Sequence, residues 1–510
     1  MALHKIHTQT YRFLSKLILV RSWRMVIVSI LIVLIATLFP FNFSFIDNLS
    51  IQKIIASFDN NSSFKDIVNN ILLFIPLGFS STAFSRKLKM KPMRRFFTLI
   101  ISSAGLSLAV EILQMFLPSR SPTPADIANN TIGGIIGIAC FYMWHSQSLI
   151  DILSSLEKGM MRNYTTKITL LFFGYTLLSF LILIPWQNAT KLSNWNLSYP
   201  LLLGNEQTGD RPWHGYISEF IIADKAVSEN EILELFDKKS YLNTIGDSLI
   251  ASYQLADKKS YQDSKGQLPE FLPQGQPPNI VDGKGVALSS SYWLKTGTPT
   301  ALLSKRIRET SQFTIITTVA TADITQTGPA RIISLSSSNL RRNFTLGQQQ
   351  TNLKLRIRTP ITGENATDIK LSVPGVFANT KFHYIVITYS QANLKVYVDK
   401  LQNYYSFNLL ELMPKEQKLL YYTLTFIPLS IYLTFLTILA KKKLNLYRFL
   451  LISGMLLPSL LLEIILVIHF GKSVSLTNIL IGILLTGSTV LILRLRASML
   501  GSRVIANYNT

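Results

Sequence analysis

The chain matches itself, without a gap, at an offset of 352 residues. Phe74-Ile75-Pro76-Leu77 returns as Phe426-Ile427-Pro428-Leu429, and Ser107-Leu108 with Glu111-Ile112 returns as Ser459-Leu460 with Glu463-Ile464. Lys89 and Lys91 fall on Lys441 and Lys443, Arg120-Ser121 on Lys472-Ser473, and Asp126-Ile127 on Asn478-Ile479. An offset that keeps a proline, a glutamate and a basic residue in step implies that one unit was duplicated. Whatever lies between the copies was then inserted.

The copies lie where the chain is most apolar. Runs at roughly 25–45, 67–85, 96–117, 127–144, 166–186, 419–440, 446–469 and 474–493 are each near the length of about 20 residues that crosses a bilayer. The first run lacks a small-residue cleavage site and is followed by further runs, so we expect it to be retained. Orientation follows from lysine and arginine. Lys5, Arg12, Lys16, Arg21 and Arg24 precede the first run, and Arg86, Lys87, Lys89, Lys91, Arg94 and Arg95 follow the second. Lys158, Arg162 and Lys167 precede the fifth, Lys441–Lys443 follow the sixth, and Arg494, Arg496 and Arg503 follow the eighth. The alternate loops hold only Lys53, Lys65, Arg120 and Lys472. All basic clusters therefore share one side, which predicts that both termini are cytoplasmic.

The net charge is +22, yet residues 187–417 hold 24 basic and 20 acidic residues. The excess sits in the cytoplasmic loops, where orientation and anionic lipid explain it, so a nucleic-acid partner is not expected. The lone cysteine, Cys140, excludes an intrachain disulfide.

Polar residues in the first copy are spaced for a site. Ser107, Glu111 and Gln114 share one helix face, and Asp126, Asn129, Asn130 and Gly133 share another. A carboxylate inside a span costs about 2.5–3.5 kcal/mol on insertion scales and is usually turned inward and paired. Gly133-x-x-x-Gly137 offers a smooth surface for close helix approach. Two readings stay open. Glu111, Arg120 and Asp126 form a structural ion pair that clamps helices, or they line an outward-facing pocket for a lipid or envelope head group. In the pocket Arg120 would meet an anionic group, Glu111 would set charge and protonation, and Asn70 would hydrogen-bond. Pro76 and Pro428 read as helix kinks.

Asn70-Ile-Leu-Leu-Phe-Ile-Pro-Leu-Gly78 and Glu111-Ile-Leu-Gln114-x-Phe-x-Pro118-x-Arg120, followed by Asp126, Asn129 or Asn130, and Gly133, Gly134 and Gly137, resemble the VanZ-like family of bacterial membrane proteins. The resemblance covers about residues 25–144 and implies a bacterial inner-membrane protein with an effect at the cell envelope, as in low-level teicoplanin resistance. The second copy keeps the frame and loses polar residues: Gln114 becomes Leu466, Arg120 becomes Lys472, and Asp126 becomes Asn478. The candidate ligand-binding set is therefore Asn70, Glu111, Gln114, Arg120, Asp126 and Asn130.

Between the copies, short alternating runs separated by turn residues predict an all-β sandwich, with strands at Gln312–Val319, Arg331–Leu335, Asn352–Arg358, His383–Tyr389 and Leu394–Val398. Residues 381–399 resemble the late hairpin of laminin-G or concanavalin-A-like domains, and residues 213–232 resemble their closing strand. The order here is reversed, which implies circular permutation, a change tolerated where natural ends lie close together. The resemblance implies glycan binding, with Trp213, Tyr292 and Trp293 as stacking candidates. Asp210, Asp247, Asp257 and Asp282 are loop acids open to calcium, but no dedicated calcium loop is present and no metal or other cofactor is expected. No catalytic carboxylate pair stands out, and Glu206 and Glu219 read as surface charges, so binding is preferred to catalysis.

The expected architecture is a polytopic α-helical membrane protein of about eight spans in two four-helix VanZ-like repeats, with an extracytoplasmic jelly-roll sandwich. Its divisions are a first membrane unit at 1–150, a linker and fifth span at 151–189, the sandwich at 190–415, and the last three spans at 416–510. Its expected partners are membrane lipid and an extracytoplasmic glycan or envelope protein. An enzyme or transporter acting on a lipid-linked precursor, and an anchor that displays the sandwich, remain the alternatives.

Overall fold

The computed structural model describes residues 22–43, 64–117, 123–145, 164–181, 184–238, 244–256, 261–276, 285–363, 365–440 and 444–508. The chain divides into two compact units, one of residues 1–182, 419–460 and 476–510, the other of residues 183–418 and 461–475.

The first unit is helical. Its elements are α1 (Ser22–Leu38), α2 (Phe64–Lys87), α3 (Pro92–Gln114), α4 (Pro124–His145) and α5 (Tyr164–Leu181), followed by most of α6 (Lys415–Leu439) and α7 (Leu444–Phe470), and by α8 (Leu476–Tyr508). Six apolar stretches among the described residues are long enough to cross a membrane: Ile67–Lys87, Met93–Gln114, Leu170–Ala189, Lys415–Ile438, Leu444–Phe470 and Leu476–Arg494. Eight were expected. The first expected run yields a helix of 17 residues, Ser22–Leu38. The fourth yields α4, whose early turns carry Asp126, Asn129 and Asn130. Pro76 and Pro428 lie inside α2 and α6.

Close approach in this unit is built from glycine. A Cβ on Gly133 would lie 2.3 Å from the Ile71 carbonyl oxygen, and one on Gly137 would lie 2.2 Å from that of Ile75. A Cβ on Gly78 would lie 2.1 Å from the Gly134 carbonyl oxygen. The backbones of α2 and α4 therefore touch along the Gly133-x-x-x-Gly137 face, because only glycine leaves room. Phe74 and Phe426, which share the 352-residue relation, are both fully buried.

The second unit holds fourteen strands among the described residues: β1 (Leu201–Leu203), β2 (Gly215–Ala223), β3 (Leu249–Gln254), β4 (Phe271–Gly275), β5 (Val286–Leu288), β6 (Tyr292–Thr296), β7 (Phe313–Thr321), β8 (Ala330–Ser338), β9 (Arg341–Gln349), β10 (Asn352–Ile357), β11 (Leu371–Val373), β12 (His383–Ser390), β13 (Asn393–Val398) and β14 (Lys400–Asn408). One antiparallel sheet runs β11-β10-β9-β8-β1-β6-β4, and the other runs β14-β13-β12-β7-β2-β3 with β5 also on β2. Each of the five expected strands lies in or overlaps an observed one. The strand from the proposed closing segment, β2, is interior to the second sheet and pairs with β7. The β12–β13 hairpin turns on Gln391 and Ala392, both at positive φ, the two-residue geometry that matches strand twist.

Phe313 of β7 joins the two sheets. Its ring lies 5.6 Å from Phe344 of β9 and 5.6 Å from Tyr389 of β12, and 5.9 Å from Trp195. The far side of the second sheet is covered by the amphipathic helix Glu229–Lys238, whose Ile232 and Leu235 pack on Ile221, Ile316 and Val386. Each such buried side chain contributes about 1.5–3 kcal/mol.

Candidate functional site

Helix α3 presents Ser107, Glu111 and Gln114 in a line, as their spacing requires, and all three are buried. Each is engaged by a different part of a neighbouring helix. The Ser107 hydroxyl accepts a hydrogen bond from the Asn130 amide at 2.8 Å. Glu111 Oε2 accepts the Thr123 backbone N–H at 2.9 Å. Gln114 Nε2 donates to the Thr37 carbonyl at 3.1 Å.

The last two partners are helix ends, and that is the physical reason for the pattern. Thr123 immediately precedes α4, and its carbonyl accepts the Asp126 N–H at 3.1 Å. Amides there have no partner within the helix and lie at the positive end of its dipole, where a carboxylate is favoured. Thr37 stands at the C-terminal end of α1, where carbonyls lack intrahelical donors. The polar face of α3 thus ties α1 and α4 to one helix.

The Asn130 side-chain oxygen is enclosed and has no hydrogen-bond partner among the described residues, although its NH₂ is used. A buried unsatisfied acceptor costs about 1–3 kcal/mol, so it calls for an explanation. Asn70, half-buried on α2, directly precedes Ile71, whose carbonyl abuts Gly133 of α4. The seam therefore brings Asn70 near the level of Asn130. Asp126 is half-buried in the first turn of α4. Arg120 lies outside the described residues.

At the 352-residue offset the same devices appear with changed residues. Glu463 Oε1 accepts the Ser475 backbone N–H at 2.7 Å and the Lys472 ammonium at 2.5 Å. Lys472 also donates to the Ser473 carbonyl at 2.8 Å. Where Asn130 meets Ser107, Gly482 stands against Ser459, with a Cβ position 2.5 Å from its hydroxyl oxygen. Thr82 donates to the Gly78 carbonyl at 2.6 Å, and Thr434 to the Ser430 carbonyl at 2.7 Å. Arg95 donates to the Tyr142 hydroxyl at 3.2 Å, and Arg494 donates to that of Tyr447. In this last case arginine and tyrosine have exchanged places, a signal readable in the sequence that conserved-identity matching passes over.

The segment Phe470–Ser473 is also bonded to the sandwich. Asn393 and Asn408 both donate to the Phe470 carbonyl at 2.7 Å, and Glu411 accepts the Ser473 N–H at 2.5 Å. These residues, from the β13–β14 end, were not singled out by any sequence motif.

The sandwich candidates divide. Trp213 has no exposed surface, and its indole N–H donates to Gln348 at 2.8 Å, so it is a core side chain and cannot stack on a sugar from solvent. Tyr292 is also buried, its hydroxyl 3.3 Å from that of Tyr261. Trp293, one residue on and on the opposite face, is half-exposed. Glu206 is not a surface charge: it is wholly buried, 3.4 Å from Arg331 Nε, with hydrogen bonds from Ser334 and Ser336. Glu219 is half-buried and accepts from Thr318 at 2.6 Å. Asp210 is held by Thr208, Arg211 and Asn339, while Asp257 and Asp282 lie outside the described residues. Among the described residues no group of three or more His, Cys, Asp or Glu is placed to hold a metal ion.

Residues 23–145 match the family model VanZ/LLP1. The matched region contains α1–α4 and every candidate residue of the α3 face. With six apolar helices, it suggests a multi-pass membrane protein carrying a VanZ-type domain. No curated protein and no solved structure matches the chain.

Proposed function

We propose that the chain is a cell-envelope membrane protein of VanZ type that binds or senses an envelope component, through a polar site in the matched region and through its sandwich. The observation that carries the reading is the enclosed Asn130 oxygen beside Ser107. Among the described residues it is hydrogen-bonding capacity beside Ser107 that helix packing leaves unused, and the corresponding place beside Ser459 is a glycine, Gly482. A ligand hydroxyl or amide arriving along the α2–α4 seam, past Asn70, would satisfy it.

In this reading the chain crosses a bacterial inner membrane eight times, α1–α4 forming one repeat and α5–α8 a second. Both termini are cytoplasmic and the sandwich is extracytoplasmic. The shared hydrogen bonds at Glu111 and Glu463, at Thr82 and Thr434, and the exchanged Arg–Tyr pairs support descent from one duplicated unit. The second repeat gave up Gln114, Asp126 and Asn130 and became the seat of a permuted jelly roll with a lectin-like role. Trp293 remains a stacking candidate there.

The test is Asn130→Gly, which imports the residue of the second copy. Teicoplanin susceptibility of cells carrying the variant should match that of a deletion, while the membrane level of the protein stays normal. A full phenotype with Asn130→Gly would sink the ligand role. A second reading is favoured by the hydrogen bonds of Glu111 and Gln114 to helix ends: these residues act as a clamp, and the membrane helices anchor the sandwich.

A further inference from the structure

On one face of the first sheet, around Glu206, the buried guanidiniums of Arg331 and Arg342 outnumber the buried carboxylate. Phe344 of β9 points toward the second sheet, as its contact with Phe313 shows, and Leu335 and Ile357 stand opposite it. Alternation then puts Thr345, with Ser334 and Arg356 opposite, on the face turned away from that sheet. Past a bulge, Ser336 stands opposite Arg342 on this face. Glu206 lies under the two serines and Arg331.

Arg331, Arg342 and Arg356 therefore surround one carboxylate. Arg331 and Arg342 are buried, and among the described residues all three nitrogens of the Arg342 guanidinium lack a hydrogen-bond partner. Asp210 does not make up the deficit, because Arg211 lies beside it at 3.7 Å and Thr208 and Asn339 also hold it. Burial, then the charges of Arg331 and Arg356, push Arg342 down to about 9, and burial pushes Arg356 down to about 10. Burial is the larger cause in both, and the neighbouring guanidiniums add to it while Glu206 opposes it.

The same face opens to solvent. A cavity of about 340 Å³ is lined by Lys354, Arg356 and Lys370, with Gln349 and Thr367, and among the described residues no acidic side chain lines it. Lys354 and Arg356 are two residues apart on β10 and so share the outward face, and β11, which follows Lys370, pairs with β10 there. Three cations around an open cavity, backed by an unpaired buried guanidinium, fit an oxyanion. An arginine fork matches carboxylate or phosphate in a bidentate way, while lysine adds point charge.

We propose that this face of the sandwich is a binding site for an oxyanion, a phosphate or carboxylate carried on an envelope polymer, with Arg356, Lys354 and Lys370 contacting it and Arg342 supplying the charge behind them. The proposal rests on the reading of the sandwich as ligand-binding and assigns the charge class of its ligand. A neutral glycan would leave the guanidinium excess as it is.

The test uses the full chain in nanodiscs, with inorganic phosphate, a poly(glycerol phosphate), a polygalacturonate and neutral dextran as probes. Phosphate should raise the thermal midpoint, and an anionic polymer should bind at least tenfold more tightly than phosphate. Arg356→Gln should weaken both by about tenfold or more without moving the midpoint in anion-free buffer. Arg342→Met should raise that midpoint and remove the response to phosphate, which a purely structural arginine would not do. Phosphate binding with no gain from the polymers keeps the site and assigns it to free oxyanion. Dextran binding with no response to any anion overturns the charge class while leaving the sandwich a binding domain. Absence of binding by all four probes overturns both.

Discussion

The Lys472 ammonium lies 2.5 Å from Glu463 Oε1, and both side chains are only 4% exposed. Glu463 Oε1 also accepts the Ser475 N–H and Lys472 also donates to the Ser473 carbonyl, while Glu463 Oε2 is buried with no hydrogen-bond partner among the described residues. A buried pair of this kind adds little net stability, because desolvation offsets the attraction, but removing one partner strands the other. Glu463→Gln should therefore cost about 3–5 kcal/mol. The double change Glu463→Leu with Lys472→Met should recover most of that. Denaturant midpoints in detergent check both, and a single variant no worse than the double would show that the pair is solvated.

The glycine seam between α2 and α4 predicts a sharp contrast. Gly137→Ala puts a methyl group where the Ile75 carbonyl oxygen already stands at 2.2 Å, so the helices must separate. Overpacking of this kind costs about 1–3 kcal/mol. Gly105 on α3 has nothing within 4 Å of its Cβ position, and Gly105→Ala should be neutral or stabilising by up to about 1 kcal/mol. Equal effects of the two substitutions on the unfolding midpoint would contradict close packing at the seam.

What the sequence made legible follows from periodicity and spacing. The alternation in residues 312–398 marks strands because a sandwich buries one face of each, and the glycine spacing marks the seam because only glycine admits a carbonyl so near. The polar line on α3 was legible as a line, but not its partners: that Glu111 meets the Thr123 amide and Gln114 the Thr37 carbonyl depends on where other helices end. Glu206 departs from the surface position expected of it for a related reason. An isolated acid in a turn-rich stretch resembles a surface charge until the fold brings Arg331 and two serines around it. Trp213 lies in the core, which its type does not reveal, because aromatic residues suit a sugar face and a β core equally well.

The buried indole and the half-exposed one separate fold from binding in the sandwich. Trp213→Ala removes a side chain with no exposed surface and its hydrogen bond to Gln348, and should cost about 3–5 kcal/mol. Trp293→Ala should change the midpoint by about 1 kcal/mol or less while weakening any glycan binding, since loss of exposed area is cheap. Unfolding curves of the full chain check the first, and binding to a glycan array checks the second. A stable Trp213→Ala protein would mean that the core is not built around this residue.

The exchanged arginine and tyrosine give a direct test of the duplication in energetic form. Arg95 on α3 meets Tyr142 on α4, and 352 residues later Tyr447 on α7 meets Arg494 on α8. The helix pair supplies two facing positions, and the contact needs one donor and one hydroxyl in either order. A hydrogen bond from a charged donor contributes about 1.5–3 kcal/mol. Arg95→Tyr leaves two tyrosines, and Tyr142→Arg leaves two like charges facing each other, so each single change should destabilise by an amount in that range. Combined, they recreate the arrangement of Tyr447 and Arg494, and the double variant should lie within about 1 kcal/mol of the parent rather than at the sum of the single losses. Arg95 also donates to the Met90 carbonyl at 2.6 Å, which sets the part of the loss that the swap cannot restore. The readout is the coupling energy from the four denaturation curves of the double-mutant cycle. A coupling near zero would mean that the two helix pairs are not interchangeable settings of one design.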